Sequence, residues 1–212
     1  MEVFQVEMHC FAANCYLVAS EKNNCVIIDP GMEPQNIDAE IKKHGFTPKM
    51  ILLTHGHYDH ISAIEGLKEI YPDLPVIASN KELPILMDSK KNYSITALGR
   101  EVVVKPDRTV KDGDTVTLDE LEFKVMETPG HTIGGITLIC GDAIFTGDTL
   151  FREGCGRTDM YSSDFFDMVE SLKRIRALTV NYKMYPGHEE GGMLFDQFPW
   201  IDSVLARVKD LC

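Results

Sequence analysis

The sequence lacks both a long apolar run and a leader of the secretory kind. Its first ten residues alternate apolar and polar side chains, whereas a signal peptide needs a basic stretch followed by a continuous apolar run. No segment approaches the roughly 18 apolar residues of a membrane span. We therefore expect a cytoplasmic protein that has no membrane partner.

Paired cysteines are also missing. None of the six cysteines forms a Cys-x-x-Cys pair, which argues against a zinc knuckle or a thioredoxin-like motif. In a reducing compartment we expect five small, buried or half-buried residues and one at the C-terminus. Only Cys155, inside a glycine-rich segment, stays open for another role. The six are Cys10, Cys15, Cys25, Cys140, Cys155 and Cys212.

Clustered basic residues are absent as well. The chain carries 21 Lys and Arg against 33 Asp and Glu, for a net charge of −12. A nucleic-acid surface needs grouped Lys and Arg to displace counterions from phosphates, so we expect no nucleic-acid partner. The expected partner is a small-molecule substrate, and a homodimer stays open.

The 212 residues fit one domain, 1–212, and 44% of them are hydrophobic, enough for a substantial core. Strand and helix patterns alternate, which predicts a layered α/β fold. The predicted strands are 3–8, 16–20, 26–29, 50–54, 76–78, 122–127, 135–139, 143–146 and 184–185, with further short strands within 102–116. The predicted helices are 35–44, 59–70, 81–87, 164–178 and 200–208. Residues 89–100 show no period and are predicted to be a loop or an inserted excursion, for which a lid and a dimer contact both stay open.

The strongest chemical signal is the segment 55–60, His-Gly-His-Tyr-Asp-His, which directly follows the predicted buried strand 50–54. A tight loop at Gly56 lets His55 and His57 converge on one ion. Asp59 and His60 open the next helix and can face a second ion. Imidazole suits Zn, Fe or Mn, and the carboxylate adds an oxygen ligand.

Three more candidates follow predicted strands. His131 and His188 each stand in a Pro-Gly-His turn, and Asp148 follows strand 143–146 in Thr-Gly-Asp. Binding sites in layered α/β folds collect at strand ends, so we expect these side chains to join the first motif. His9 has no such context and is predicted to lie in a strand. His44 is predicted to be a cation at a helix C-terminus.

The order of these motifs resembles the metallo-β-lactamase superfamily and, within it, the glyoxalase II-like (hydroxyacylglutathione hydrolase-like) branch. The resemblance runs from Asp29-Pro30-Gly31 to His188 and implies a four-layer αββα sandwich. Only 24 residues follow His188, so we expect a short form without the branch's helical C-terminal domain. The resemblance assigns His55, His57 and His131 to a first metal, Asp59, His60 and His188 to a second, and Asp148 to both.

The implied activity is cleavage of a thioester or ester by a hydroxide that bridges two divalent ions. Zinc is the preferred metal, and Fe or Mn stays open. Asp59 is expected to orient the nucleophile or to take its proton. Thr54 and Asp29 are expected to hold the imidazole rings. Arg152 and Arg157 are predicted either to bind an anionic substrate or to form surface salt bridges.

Other functions are carried as alternatives. The loop 154–159, Gly-Cys-Gly-Arg-Thr-Asp, also resembles the iron-dependent persulfide dioxygenases, which need one iron and consume oxygen. An aspartate at position 148 argues against an antibiotic-hydrolysing enzyme. A nuclease is opposed by the charge of −12. A non-catalytic metal-binding module is opposed by the presence of all seven ligands.

Overall fold

A computed structural model describes residues 1–9 and 13–209 and contains two six-stranded sheets. The first sheet holds β1 (Glu2–Gln5), β2 (Tyr16–Ala19), β3 (Asn24–Ile28), β4 (Thr47–Leu52), β5 (Val76–Ser79) and β6 (Arg108–Val110). The second holds β7 (Thr115–Leu118), β8 (Leu121–Glu127), β9 (Ile136–Cys140), β10 (Ala143–Gly147), β11 (Lys183–Pro186) and β12 (Gly192–Met193). Both sheets are mixed: β3 to β6 run parallel in the first, and β10 and β11 are parallel in the second.

Helices cover the outer faces of the two sheets. They are α1 (Pro34–His44), α2 (Tyr58–Ile61), α3 (Ile64–Ile70), α4 (Leu83–Leu86), α5 (Ser94–Leu98), α6 (Phe165–Arg176) and α7 (Phe198–Lys209). Asp164 caps α6, because its carboxylate accepts the N–H groups of Phe166 and Asp167. None of the helices in the described ranges is long and apolar enough to cross a bilayer.

Three separate apolar cores create four layers. Alternate residues of β2 and β3 face opposite sides of the first sheet: Leu17 and Ile27 pack with α1 and α3, whereas Val18 and Val26 pack against the second sheet. A third core lies between the second sheet and helices α6 and α7. The expected αββα sandwich is therefore confirmed.

The region predicted as one helix, 59–70, is two helices. The break falls at Ser62 and Ala63, where the Ala63 N–H donates to the carbonyl of Pro30 instead of continuing the helical ladder. The Ser62 hydroxyl bonds back to the carbonyl of Tyr58. The interruption gives the ligand-bearing turn α2 a direction of its own.

The structure differs from the predicted irregular segment 89–100 in one part, since residues Ser94–Leu98 form α5. Buried polar anchors rather than an apolar stripe hold it: the Asn92 side chain accepts the Ser94 N–H and donates to the carbonyl of Val102. The Tyr58 N–H also donates to the carbonyl of Asn92, which fixes the segment against α2. A fold made by such contacts has no hydrophobic period for sequence analysis to detect.

Three minor expectations, on the cysteines, His44 and His9, can be compared with the structure. Cys15, Cys25 and Cys140 are buried free thiols and Cys155 is a half-buried one, as expected; Cys10 and Cys212 lie outside the described residues. His44 ends α1 beside Gly45, as predicted. His9, in contrast, lies outside the strands, where its backbone N–H donates to the Glu33 carboxylate.

Phe123 tests the core between the sheets, where it is fully buried on β8. We expect Phe123→Ala to lower the free energy of unfolding by about 3–5 kcal/mol, because transfer and cavity terms add. Urea denaturation measures the change. Lys124→Ala, exposed on the same strand, is the control and should shift stability by less than about 0.5 kcal/mol. Equal effects of the two changes would contradict the assignment of the core.

Candidate metal centre

Loops that follow strands of both sheets deliver the candidate ligands to one place. The chain after β4 carries His55 and His57, β10 ends directly before Asp148, and β11 ends two residues before His188. The chain segments approach closely here: a Cβ on Gly187 would overlap Oδ1 of Asp148. Glycine at this position is therefore a steric requirement of the site.

All seven side chains predicted as ligands lie together. Their donor atoms form three groups, each within 4.8 Å: His55, His57, His131; His55, His60, Asp148; and Asp59, His60, His188. Asp148 stands between the outer two groups, with Oδ1 3.4 Å from Nε2 of His60 and Oδ2 3.3 Å from Nε2 of His131. This placement is the one that a carboxylate shared by two ions requires.

The residues fit divalent ions. Within residues 1–9 and 13–209, four buried polar atoms have no hydrogen-bond partner: Nε2 of His55, His57 and His60, and Oδ1 of Asp148. Leaving such atoms unsatisfied costs free energy, and a cation that accepts their lone pairs removes that cost. Imidazole nitrogens with carboxylate oxygens suit Zn, Fe or Mn rather than Ca or Mg.

Asp29 orients the ligands of the first sheet. Its buried carboxylate accepts the backbone N–H and the hydroxyl of Thr54 and lies 3.0 Å from Nδ1 of His60. A proton on Nδ1 leaves Nε2 of His60 free to face the centre. His131 follows a strand of the second sheet, and its Nδ1 contacts the carbonyl of Arg157 at 2.9 Å, so its Nε2 faces Nδ1 of His57 and Oδ2 of Asp148.

Sequence reasoning missed the residues that hold the His188 loop. Asn14 donates its amide to the carbonyls of Pro186 and Glu189, and the buried hydroxyl of Tyr16 donates to the carbonyl of Pro186. Both residues belong to the first sheet region, whereas His188 follows a strand of the second. No local signal could have found this contact, since the partners are about 170 residues apart.

Glu82 was missed too. It is fully buried and accepts the N–H of Gly56 at 2.9 Å, the hydroxyl of Thr132 at 3.1 Å and the N–H of Gly134. The carboxylate thus joins the loop of His55 and His57 to the loop of His131. Burial raises the pKa of Glu82 to about 7 against the effect of these donors.

The two ends of the centre differ in charge. Burial, with the neighbouring imidazoles, lowers the pKa of His55 well below its usual value and that of His57 to about 3, so both are neutral. Burial alone would also lower the pKa of His60, but Asp148, Asp29 and Asp59 raise it well above the usual value. The pKa of His188 is raised against its burial by Asp59 and Asp148.

The carboxylates respond in the opposite sense. Burial would raise the pKa of Asp59 and of Asp148, but the charge of His60 lowers both, and a hydrogen bond from His188 lowers that of Asp59 further. Both carboxylates are therefore ionised near neutral pH and available as ligands or acceptors.

Both candidate substrate-binding arginines already have acidic partners. Nε and Nη2 of Arg157 donate to the two carboxylate oxygens of Asp159 at 2.9 and 3.1 Å. Nη1 of Arg152 lies 3.4 Å from Oε2 of Glu190. Arg157 lines a cavity of about 330 Å³ above the ligands, and Arg152 does not figure among the described lining residues.

The chain belongs to the metallo-beta-lactamase superfamily, whose family model matches residues 9–188. It is 34% identical over 197 residues to a probable metallo-hydrolase of Streptococcus pyogenes serotype M6, covering 89% of this chain and 84% of the relative. The chain is also 32% identical to BaeB of Bacillus velezensis, whose name is probable polyketide biosynthesis zinc-dependent hydrolase. The alignment covers 90% of this chain and 80% of the relative. Hydroxyacylglutathione hydrolase of Pectobacterium carotovorum is 34% identical over 82% of this chain, which spans 61% of that relative.

Solved structures agree with the fold. The B3 metallo-beta-lactamase BLEG-1 gives a TM-score of 0.87 at 28% identity, covering 93% of this chain and 97% of its own. TTHA1623 in a di-iron-bound form gives 0.80 at 33% identity, covering 92% and 96%. ETHE1 from Myxococcus xanthus gives 0.80 at 27% identity, covering 97% and 85%.

The contacts of Glu82 generate a stability prediction. We expect Glu82→Ala to lower the free energy of unfolding of the metal-free protein by about 2–4 kcal/mol, because it leaves the buried N–H groups of Gly56 and Gly134 without an acceptor. The control is Glu69→Ala, an exposed carboxylate on α3. Chemical denaturation of both variants gives the values, and equal stability of the two would refute the joining role of Glu82.

The charge difference generates a prediction for metal loading. His60 and His188 have raised pKa values and must release protons to bind an ion, whereas His55 and His57 are already neutral. As pH falls from about 8 to 5, we expect the ion at Asp59, His60 and His188 to leave first. Metal content after equilibration at each pH measures the order. Simultaneous loss of both ions would contradict it.

Proposed function

We propose that the protein is a metal-dependent hydrolase that cleaves a thioester or ester at a centre of two divalent ions. The observation that carries the proposal is the convergence of five imidazoles and two carboxylates, with Asp148 between the two outer groups. His55, His57 and His131 would hold one ion, Asp59, His60 and His188 the other, and Asp148 both. Such ions make water a nucleophile near neutral pH and polarise a carbonyl.

The protein's own groups position the reactants. Asp59 lines the cavity, and its ionised carboxylate can accept a hydrogen bond from the attacking water and so orient it toward a substrate carbonyl. The low pKa of Asp59 makes orientation its main role rather than storage of a proton. Overall, water adds its oxygen to the carbonyl carbon, the carbon–sulfur or carbon–oxygen bond breaks, and the departing atom takes one water proton.

Zinc is the metal we propose first. A relative at 32% identity is named as a zinc-dependent hydrolase, and the nitrogen-rich donor set supports the same choice. Iron remains the rival, because TTHA1623, at 33% identity, has been solved in a di-iron-bound form. The di-iron form of TTHA1623 also supports the proposal of two ions in one centre.

An iron-dependent persulfide dioxygenase is the second candidate. The likeness to ETHE1, with a TM-score of 0.80, gives it some support. The two candidates differ in their need for oxygen and in metal stoichiometry: hydrolysis needs two ions and no oxygen. The complete donor set at Asp59, His60 and His188 favours the hydrolase.

Anaerobic turnover tests the hydrolase. We expect metal-loaded protein to hydrolyse a thioester without oxygen, at a rate that scales with bound metal measured by elemental analysis. S-lactoylglutathione and an uncharged thioester such as S-acetyl-N-acetylcysteamine serve as probes. Turnover of a persulfide with oxygen consumption, and of no thioester or ester, would assign the dioxygenase instead.

Two variants connect metal with activity. His57→Ala and Asp148→Ala should lose metal and hydrolysis together, with the rate falling at least about 100-fold, because each removes a ligand. His44→Ala, at the far end of α1, is the matched histidine control and should keep both. Hydrolysis that persists in metal-depleted protein would exclude the proposed chemistry.

A further inference from the structure

The cavity above the ligands has an aromatic and sulfur-rich wall. Apart from the ligands themselves, five of its lining side chains carry no formal charge: Tyr58, Tyr93, Phe151, Cys155 and Met160. Arg157 is the charged side chain among the described non-ligand residues of the wall. The wall is therefore largely uncharged, whereas the candidate ligands at the base of the cavity are imidazoles and carboxylates.

Two rings flank the metal centre at its two ends. The ring of Tyr93 lies 5.5 Å from that of His57, and the ring of Phe151 lies 5.9 Å from that of His188. His57 and His188 belong to the two outer ligand groups. A substrate whose carbonyl sits over Asp148 would thus extend toward Tyr93 on one side and Phe151 on the other.

Tyr93 is held firmly in this position. Its backbone adopts a left-handed conformation, φ 65°, directly before α5, and its hydroxyl accepts the N–H of Tyr161 at 2.7 Å. The adjacent Asn92 is fully buried and bonded to Val102. The segment 89–100 therefore supplies a fixed wall, and a preformed wall lowers the entropy cost of binding.

Positive charge at the wall is already neutralised. Asp159 accompanies Arg157 in a two-pronged ion pair, which holds the pKa of Asp159 below its usual value. The glutathione moiety has two carboxylates, whereas the described wall offers one arginine, which is exposed and already has an acidic partner. The wall therefore offers little to an anionic group and much to an apolar one.

We infer that Tyr93 and Phe151 determine specificity and that the substrate class is uncharged thioesters or esters with an apolar, aromatic or branched, group. This inference rests on the proposed hydrolase. Both rings offer an apolar group contacts that remove it from water, and the pairing of Arg157 with Asp159 weakens the attraction of Arg157 for an anionic substrate.

The test compares matched substrates on the full-length, metal-loaded protein without oxygen. S-phenylacetyl-N-acetylcysteamine is uncharged, S-phenylacetylglutathione carries the same acyl group on an anionic thiol, and S-succinyl-N-acetylcysteamine carries an anionic acyl group on the neutral thiol. We expect kcat/KM for the uncharged thioester to exceed kcat/KM for each of the two charged thioesters by at least about tenfold.

Variants then assign the selectivity to the rings. Asparagine replaces Tyr93 because it tolerates a left-handed backbone. We expect Tyr93→Asn and Phe151→Ser each to reduce the preference for the uncharged thioester by about tenfold. Phe166→Ser removes an exposed ring of α6 and should leave the preference unchanged. Metal content and thermal unfolding are measured for every variant beside the rates. A second measurement needs no variant: it compares the affinities of the unmodified protein for S-benzyl-N-acetylcysteamine and for S-benzylglutathione.

The outcomes separate the two proposals. Equal or faster turnover of a charged thioester, tighter binding of S-benzylglutathione, or ring variants that keep the selectivity would overturn the inference while the hydrolase stands. Failure of the metal-loaded protein to cleave any thioester or ester would overturn the hydrolase, and the inference with it.

Discussion

The convergence of five imidazoles and two carboxylates on one buried place constrains the whole molecule. Among the described residues, four of their polar atoms have no hydrogen-bond partner, although His188 bonds to Asp59 and Nδ1 of His57 lies 2.9 Å from Nε2 of His131. Side chains in such an arrangement would relax apart unless the surrounding chain held them. Backbone hydrogen bonds provide part of that restraint: Gly187 N–H donates to the carbonyl of Gly147, and Asn14 N–H donates to that of Gly187.

The two-sheet architecture is what makes this restraint effective. Each sheet contributes candidate ligands from the ends of its own strands. Residues from other parts of the chain also hold these ligand loops. Asn14, which lies two residues before β2 of the first sheet, holds the His188 loop. Glu82 joins the His57 loop to the His131 loop. Relative sliding of the sheets would break these contacts, so the packing between the sheets and the geometry of the centre are coupled.

The sequence predicted the layers and the convergence of the seven candidate ligands because both leave local signals. Buried strands show apolar runs, and Pro-Gly-His or Gly-Asp turns mark strand ends. Helix α5 and the contacts of Glu82 left none, because they depend on polar groups far apart in the chain or aperiodic within it. The family resemblance supplied the distribution of ligands between two ions, which spacing alone did not determine.

The candidate ligands and the two rings that we propose to determine specificity come from different parts of the chain. The candidate ligands follow β4, β8, β10 and β11, whose positions the three apolar cores fix, whereas the rings of Tyr93 and Phe151 come from segment 89–100 and the loop after Asp148. Tyr93 contacts His57 through ring faces and edges but makes no hydrogen bond to a candidate ligand among the described contacts. A change in the wall can therefore alter which substrate binds without moving the metal centre, since loops on a rigid scaffold vary at little cost to the core.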